Sequence, residues 1–85
     1  MYFVYVLLSK KDGLFYTGFT NNLIRRVLEH NQGLQVSTKY RLPVELVYYE
    51  WCLDKSDAID REKYLKSGAG KRYIRNRLKH HFTRN

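Results

Sequence analysis

Five residues in this sequence have the types and spacings for chemistry on an anionic substrate: Tyr5, Tyr16, Arg26, His30 and Glu62. Arg26 and His30 lie four residues apart within the segment NNLIRRVLEHNQG, residues 21–33. On a helix that spacing sets them side by side on one flank. A cation that keeps its proton then stands beside an imidazole that titrates near neutrality. The same two residues also fit an ordinary solvated helix face. Tyr5 and Tyr16 are aromatic strand residues that either fill a core or present two hydroxyls to that pair. A phenol acts as a general base only when its pKa, ~10 unperturbed, is lowered by neighbouring cations or a metal. Arg26 and His30 are placed to do this. Glu62 has Ala58 and Leu65 at i−4 and i+3, on or beside a buried helical stripe where a carboxylate needs a partner. That partner is either a cation, Arg61 or Lys66, or a divalent ion such as Mg²⁺. Mg²⁺ often takes one protein carboxylate and keeps water and substrate phosphate as its other ligands.

The elements that must position these groups follow from local pattern. Residues 2–8 (YFVYVLL) are aromatic and β-branched and predict a buried strand. Asp12-Gly13 is a hairpin signal, and residues 15–20 (FYTGFT) predict the returning strand. Side chains alternate, so Phe3, Tyr5 and Leu7 share one face, as do Tyr16 and Gly18 on the partner. Gly18 is costly inside a strand unless something must approach its backbone closely. In residues 21–33, Leu23, Ile24, Val27 and Leu28 predict a helix with one buried face, capped by Asn21 or Asn22 and closed by Gly33. A polar loop over 34–42 ends at Pro43, and residues 44–51 (VELVYYEW) predict a third strand. Asp54 or Ser56 caps a helix over about 57–66, stopped by Ser67-Gly68-Ala69-Gly70. A third helix follows from about Lys71, with Ile74, Leu78 and Phe82 as its apolar line. The expected fold is α+β, a small three-stranded antiparallel sheet flanked by helices in the order ββαβαα, one domain over residues 1–85.

Composition narrows the partners. Sixteen Lys and Arg against eight Asp and Glu leave a net charge of +8. This favours a polyanion, nucleic acid before an acidic membrane, because phosphate contacts release counterions. Seven cations and no acid fall after residue 65: Lys66, Lys71, Arg72, Arg75, Arg77, Lys79 and Arg84. They suggest a phosphate-tracking surface, to which Lys39, Tyr40 and Arg41 in the polar loop would add. Cys52 is the only cysteine, which excludes an internal disulfide and a thiolate zinc site. The first apolar run is too short to span a bilayer and lacks a signal peptide's basic leader, so the expected location is cytoplasmic, with no membrane contact.

With Phe3-Val4-Tyr5, Tyr16-Thr17-Gly18, Arg26, His30 and Glu62 aligned, the chain resembles the GIY-YIG nuclease superfamily. It is most similar to small stand-alone members related to the N-terminal nuclease domain of the excision-repair subunit UvrC. The tyrosines are eleven apart, Arg26 follows Tyr16 by ten, and His30 follows Arg26 by four. The segments STKYRLP and REKYLKSGAGKR add to the likeness. Phe3 replaces the family's Gly and Thr17 its Ile, both at packing positions.

The resemblance implies a metal-dependent DNA endonuclease, structure-specific in repair or recombination. One of Tyr5 and Tyr16 would be the general base, Arg26 would stabilise phosphate charge, and His30 would polarise a tyrosine. Glu62 would hold one Mg²⁺ or Mn²⁺. Asn76 is the candidate for the family's late asparagine. DNA targeting would come from the basic surface (Lys39, Arg41, Lys66, Lys71, Arg72, Arg75), a homodimer or a partner protein. The rival readings are a non-catalytic nucleic-acid binder that stacks bases on exposed aromatics, and a structural subunit of a basic assembly.

Overall fold

A computed structural model describes residues 1–84 of the chain. Strand β1 (Tyr2–Ser9) turns at Gly13, φ +72°, into β2 (Phe15–Thr20). Helix α1 (Leu23–Asn31) and a loop lead to β3 (Val44–Cys52), followed by α2 (Lys55–Lys66), α3 (Gly68–Arg77) and a short α4 (Lys79–Thr83). The sheet is antiparallel with order β2-β1-β3. Period-2 alternation sends Val4 and Val6 to one face, where they pack with Ala58 and Leu65 of α2 and Ile74 of α3. Tyr5 and Leu7 go to the other, against Tyr16, Leu23, Val27 and Val44. The central strand is therefore covered on both faces, which is why it reads as an unbroken apolar run.

The expected α+β class and antiparallel sheet are present, with ββαβααα in place of ββαβαα. The difference lies at two breaks. Ser67 ends α2 and also caps α3, its hydroxyl accepting from Gly70 N at 3.1 Å. Gly68 to Gly70 thus open a helix where a stop was expected. At Leu78, φ −110° and ψ 24°, the chain leaves helical geometry and α4 begins.

Helix α1 is capped by Asn22, whose side chain accepts from Arg25 N at 3.1 Å. Its C-terminus is closed by Gly33 N to His30 O and Leu34 N to Glu29 O, both 3.0 Å, around Gly33 at φ +76°. This paired arrangement satisfies carbonyls that otherwise lack partners. The predicted apolar face is divided, however. Leu23 and Val27 pack inward, while Ile24 and Leu28 are 77% and 56% exposed. The stripe that faces the sheet runs through 23, 26, 27 and 30, the i, i+3, i+4, i+7 spacing. Arg26 and His30 take part in it rather than flanking it.

The α2–α3 corner is the tightest backbone approach. A Cβ built on Gly70 would collide with the Tyr64 carbonyl oxygen and lie 2.5 Å from Leu65 Cα. Backbone atoms cannot rotate aside, so this clash outweighs the ~1 kcal/mol that alanine gains over glycine in a helix. Gly70→Ala should destabilise the fold by about 2–3 kcal/mol in denaturant titrations.

Candidate active site

A cleft of about 450 Å³ opens at the β2 edge, lined by Tyr5, Tyr16, Gly18, Arg26, Lys55 and Glu62 among others. Helices α1 and α2 lie on opposite faces of the sheet, so Arg26 and Glu62 can share a cavity only around the edge strand. Gly18 makes this workable. It pairs with Tyr5 across the β1–β2 ladder, and a Cβ there would stand 2.6 Å from the Tyr5 hydroxyl and 2.8 Å from Cζ. With no side chain at Gly18, the phenol extends over β2 into the cleft.

Tyr5 is 1% exposed and His30 0%, and the Tyr5 hydroxyl lies 2.9 Å from His30 Nε2. His30 Nδ1 in turn meets Thr38 Oγ1 at 2.7 Å. Burial pushes the Tyr5 phenol above its ordinary pKa; Tyr16 adds to the rise, and Arg26 pulls the other way more weakly. Burial and then Arg26 push His30 below its ordinary value, against a smaller opposing pull from Glu29. At neutral pH the phenol keeps its proton and the imidazole is neutral. The neutral ring therefore donates one of these two hydrogen bonds and accepts the other, joining Tyr5, His30 and Thr38 in one chain. This reverses the expected lowering of a phenol pKa at Tyr5, because desolvation of a phenolate outweighs the nearby guanidinium. Tyr16 stands differently. It is half-buried, its ring centroid is 5.2 Å from that of His30, and it faces the cleft.

Arg26 Nε lies 3.2 Å from Glu29 Oε1, yet at an angle that makes no hydrogen bond, and this buried donor has no other partner. Nε itself is shielded from solvent, while the Arg26 side chain, 30% exposed, lines the cleft, where a guanidinium fits an incoming phosphate oxygen. Glu62 is 17% exposed and pairs with Lys66 at 3.5 Å. Arg61, the other expected partner, is taken by Glu50 at 2.6 Å. No group of three or more His, Cys, Asp or Glu converges among the described residues. A single hard carboxylate with open space before it fits Mg²⁺ or Mn²⁺, whose remaining positions water and phosphate oxygens fill.

Arg41 requires a correction. Its guanidinium donates to Asp12 Oδ2 at 2.7 Å and to Leu14 O at 3.1 Å, while Ser9 Oγ donates to the Arg41 carbonyl at 2.6 Å. Arg41 holds the Asp12 carboxyl down to about 2. It is a strut that fixes the loop carrying Thr38, not a side chain open to phosphate. Lys39 is exposed beside the Tyr40 ring, and Lys71, Arg72 and Arg75 are exposed on α3, with Arg75 over the Phe15 ring. Lys66 is exposed but engaged with Glu62. Asn76 is exposed on α3 and does not line the cleft. Two residues here escaped the sequence reading. Lys55 lines the cleft, two turns before Glu62 on the same helical face, a spacing that could have found it. Thr38 had no signal, because its role depends on a loop folding under α1.

The GIY-YIG catalytic domain model matches residues 1–77. The chain belongs to the GIY-YIG family. It is 46% identical over 67 residues to a UPF0213 protein of Clostridium perfringens, covering 78% of this chain and 71% of that one. A UPF0213 protein of Desulfotalea psychrophila is 45% identical, covering 76% of this chain and 60% of its own length. One from Natronomonas pharaonis is 48% identical, with 78% of each chain covered. No solved structure matches.

Two outcomes follow from this geometry. Gly18→Ala should destabilise by about 1–3 kcal/mol, and less in a Tyr5→Phe background, where the nearest clashing atom is gone. A double-mutant cycle by urea unfolding measures that coupling. His30 has a folded pKa below its unfolded value, so the unfolded chain binds more protons in the window below 6.5. Stability should therefore fall from pH 7.5 to 5.5 in thermal melts, and His30→Gln should flatten that dependence.

Proposed function

We propose that the protein is a divalent-metal-dependent endonuclease that hydrolyses DNA phosphodiester bonds. The observation that carries this reading is the meeting of Tyr16, Arg26 and Glu62 in one cleft. Tyr16, acting as its phenolate, accepts the proton of the attacking water as the water oxygen bonds to phosphorus. Tyr5, held by His30, keeps its proton and presents a fixed hydroxyl beside Gly18. Arg26 donates to the non-bridging oxygens as negative charge builds on them, where a preorganised donor contributes most. Lys55 adds a second positive charge to the cleft. Glu62 holds Mg²⁺ or Mn²⁺, which would neutralise charge on the leaving oxygen. The P–O ester bond then breaks and the leaving oxygen takes up a proton.

Residues 1–85 make one nuclease domain in this reading, similar to the N-terminal nuclease domain of UvrC and structure-specific in repair or recombination. DNA affinity comes from Lys39, Lys66, Lys71, Arg72 and Arg75, with a homodimer or a partner protein supplying further targeting. Phosphate contacts carry little sequence information, so binding should be salt-sensitive and weakly sequence-selective.

Flap, branched and duplex DNA incubated with Mg²⁺ or Mn²⁺ provide the test. Wild-type protein should cut at least one of them. Glu62→Ala and Arg26→Ala should each lower the rate by about 10²–10³-fold while DNA binding persists. Cleavage that survives both changes belongs to a contaminant. Binding by the wild type without cleavage of any substrate selects the non-catalytic binder instead.

A further inference from the structure

A second cavity, about 420 Å³, lies at the other end of the hairpin, between Leu8, Phe15 and Phe82, with Arg75 and Lys79 at its rim. Its volume falls within the range of small-molecule pockets. The Phe15 and Phe82 rings are 5.9 Å apart and tilted 38°, and the Arg75 guanidinium stands 5.6 Å over Phe15. Neither Arg75 nor Lys79 meets a carboxylate within ion-pairing distance among the described residues. The pocket thus combines an apolar aromatic floor with two cations that no acid of the chain neutralises. Its chemistry complements a planar apolar body carrying phosphate.

Position strengthens the case. Phe15 lines this pocket, Phe19 lines the cleft, and both pack against the same core cluster, so they project from one face of β2. They are four residues apart, about 13 Å along an extended strand, a span of a few nucleotides. We infer that the Leu8–Phe15–Phe82 pocket binds one unpaired nucleotide of the DNA strand whose phosphate enters the cleft. The base stacks on Phe82, and Arg75 and Lys79 hold the phosphates on either side of it. This rests on DNA being the substrate. It makes the protein prefer strands with an unstacked base a few nucleotides from the cut.

The test reads binding apart from cleavage. Fluorescence anisotropy without divalent metal compares short single strands with strands in which one position at a time is abasic. For the wild type, removing the base at one register should weaken binding about tenfold, the effect of losing one base–aromatic stack. Phe82→Ala should bind intact and abasic strands alike, and Phe82→Tyr should restore the difference, which separates stacking from misfolding. Arg75→Gln with Lys79→Gln should weaken all strands together and lower the salt slope by about 1.4. Equal affinity for intact and abasic strands at every position overturns the inference. Discrimination that survives in Phe82→Ala overturns it as well. Cleavage assays on the same preparations read the nuclease proposal separately, since discrimination without any cleavage supports the pocket and overturns the nuclease.

Discussion

The arrangement depends on one missing methyl group. At Gly18 the backbone of an edge strand lies under the Tyr5 phenol so closely that any side chain would displace it. That gap lets a residue of the central strand reach past β2, and it opens the edge around which α1 and α2 contribute to one cavity. A glycine inside a strand loses packing and gains backbone entropy in the unfolded chain. Here the loss is offset by a buried hydroxyl that finds a hydrogen-bond partner in His30.

From that point the support runs outward without a break. Tyr5 is hydrogen-bonded to His30, His30 to Thr38, and Thr38 sits in a loop tied to the β1–β2 turn by Arg41 and Ser9. Each buried side-chain polar atom along this path has its partner among the described residues, so the network favours one arrangement over its alternatives. Net contributions of ~1 kcal/mol per hydrogen bond would not decide the fold. The cost of leaving one of these groups unpaired, about 1–3 kcal/mol, is what fixes the geometry. The loop over residues 34–43 therefore acts as a rear wall of the site, although none of its residues lines the cleft.

The sequence carried the strands, the two tyrosines, Arg26, His30 and Glu62, because period and spacing survive folding. It also flagged Gly18 through the expense of glycine in a strand. What it could not carry were properties decided by neighbours distant along the chain. The protonation of Tyr5 depends on burial against α1, which no spacing reveals. Arg41 looked like a phosphate ligand because Asp12 lies far before it in the chain. The division of α1's apolar residues followed from the sheet selecting the 23–26–27–30 stripe. That stripe includes a cation, so hydrophobicity alone pointed to the wrong flank. Ser67 was read as a stop because a residue that ends one helix can also cap the next, and only the crossing of α2 and α3 decides between the two.

In the proposed reaction, Arg26 is where stability and function pull apart. Every other buried donor in this cleft is satisfied among the described residues, and the exception is a guanidinium nitrogen. Leaving it unpaired costs stability in the free protein, and Glu29 stands near enough to relieve the charge without completing a hydrogen bond. A fully paired arginine would have to break that bond before it could serve a phosphate, and its interaction with ground state and transition state would then differ little. An unsatisfied donor avoids this. In the proposed reaction the cleft-lining part of the Arg26 guanidinium would add hydrogen bonds to an arriving anion without first breaking one, and these would strengthen as charge accumulates on it, which is the condition under which binding energy lowers a barrier rather than only improving affinity.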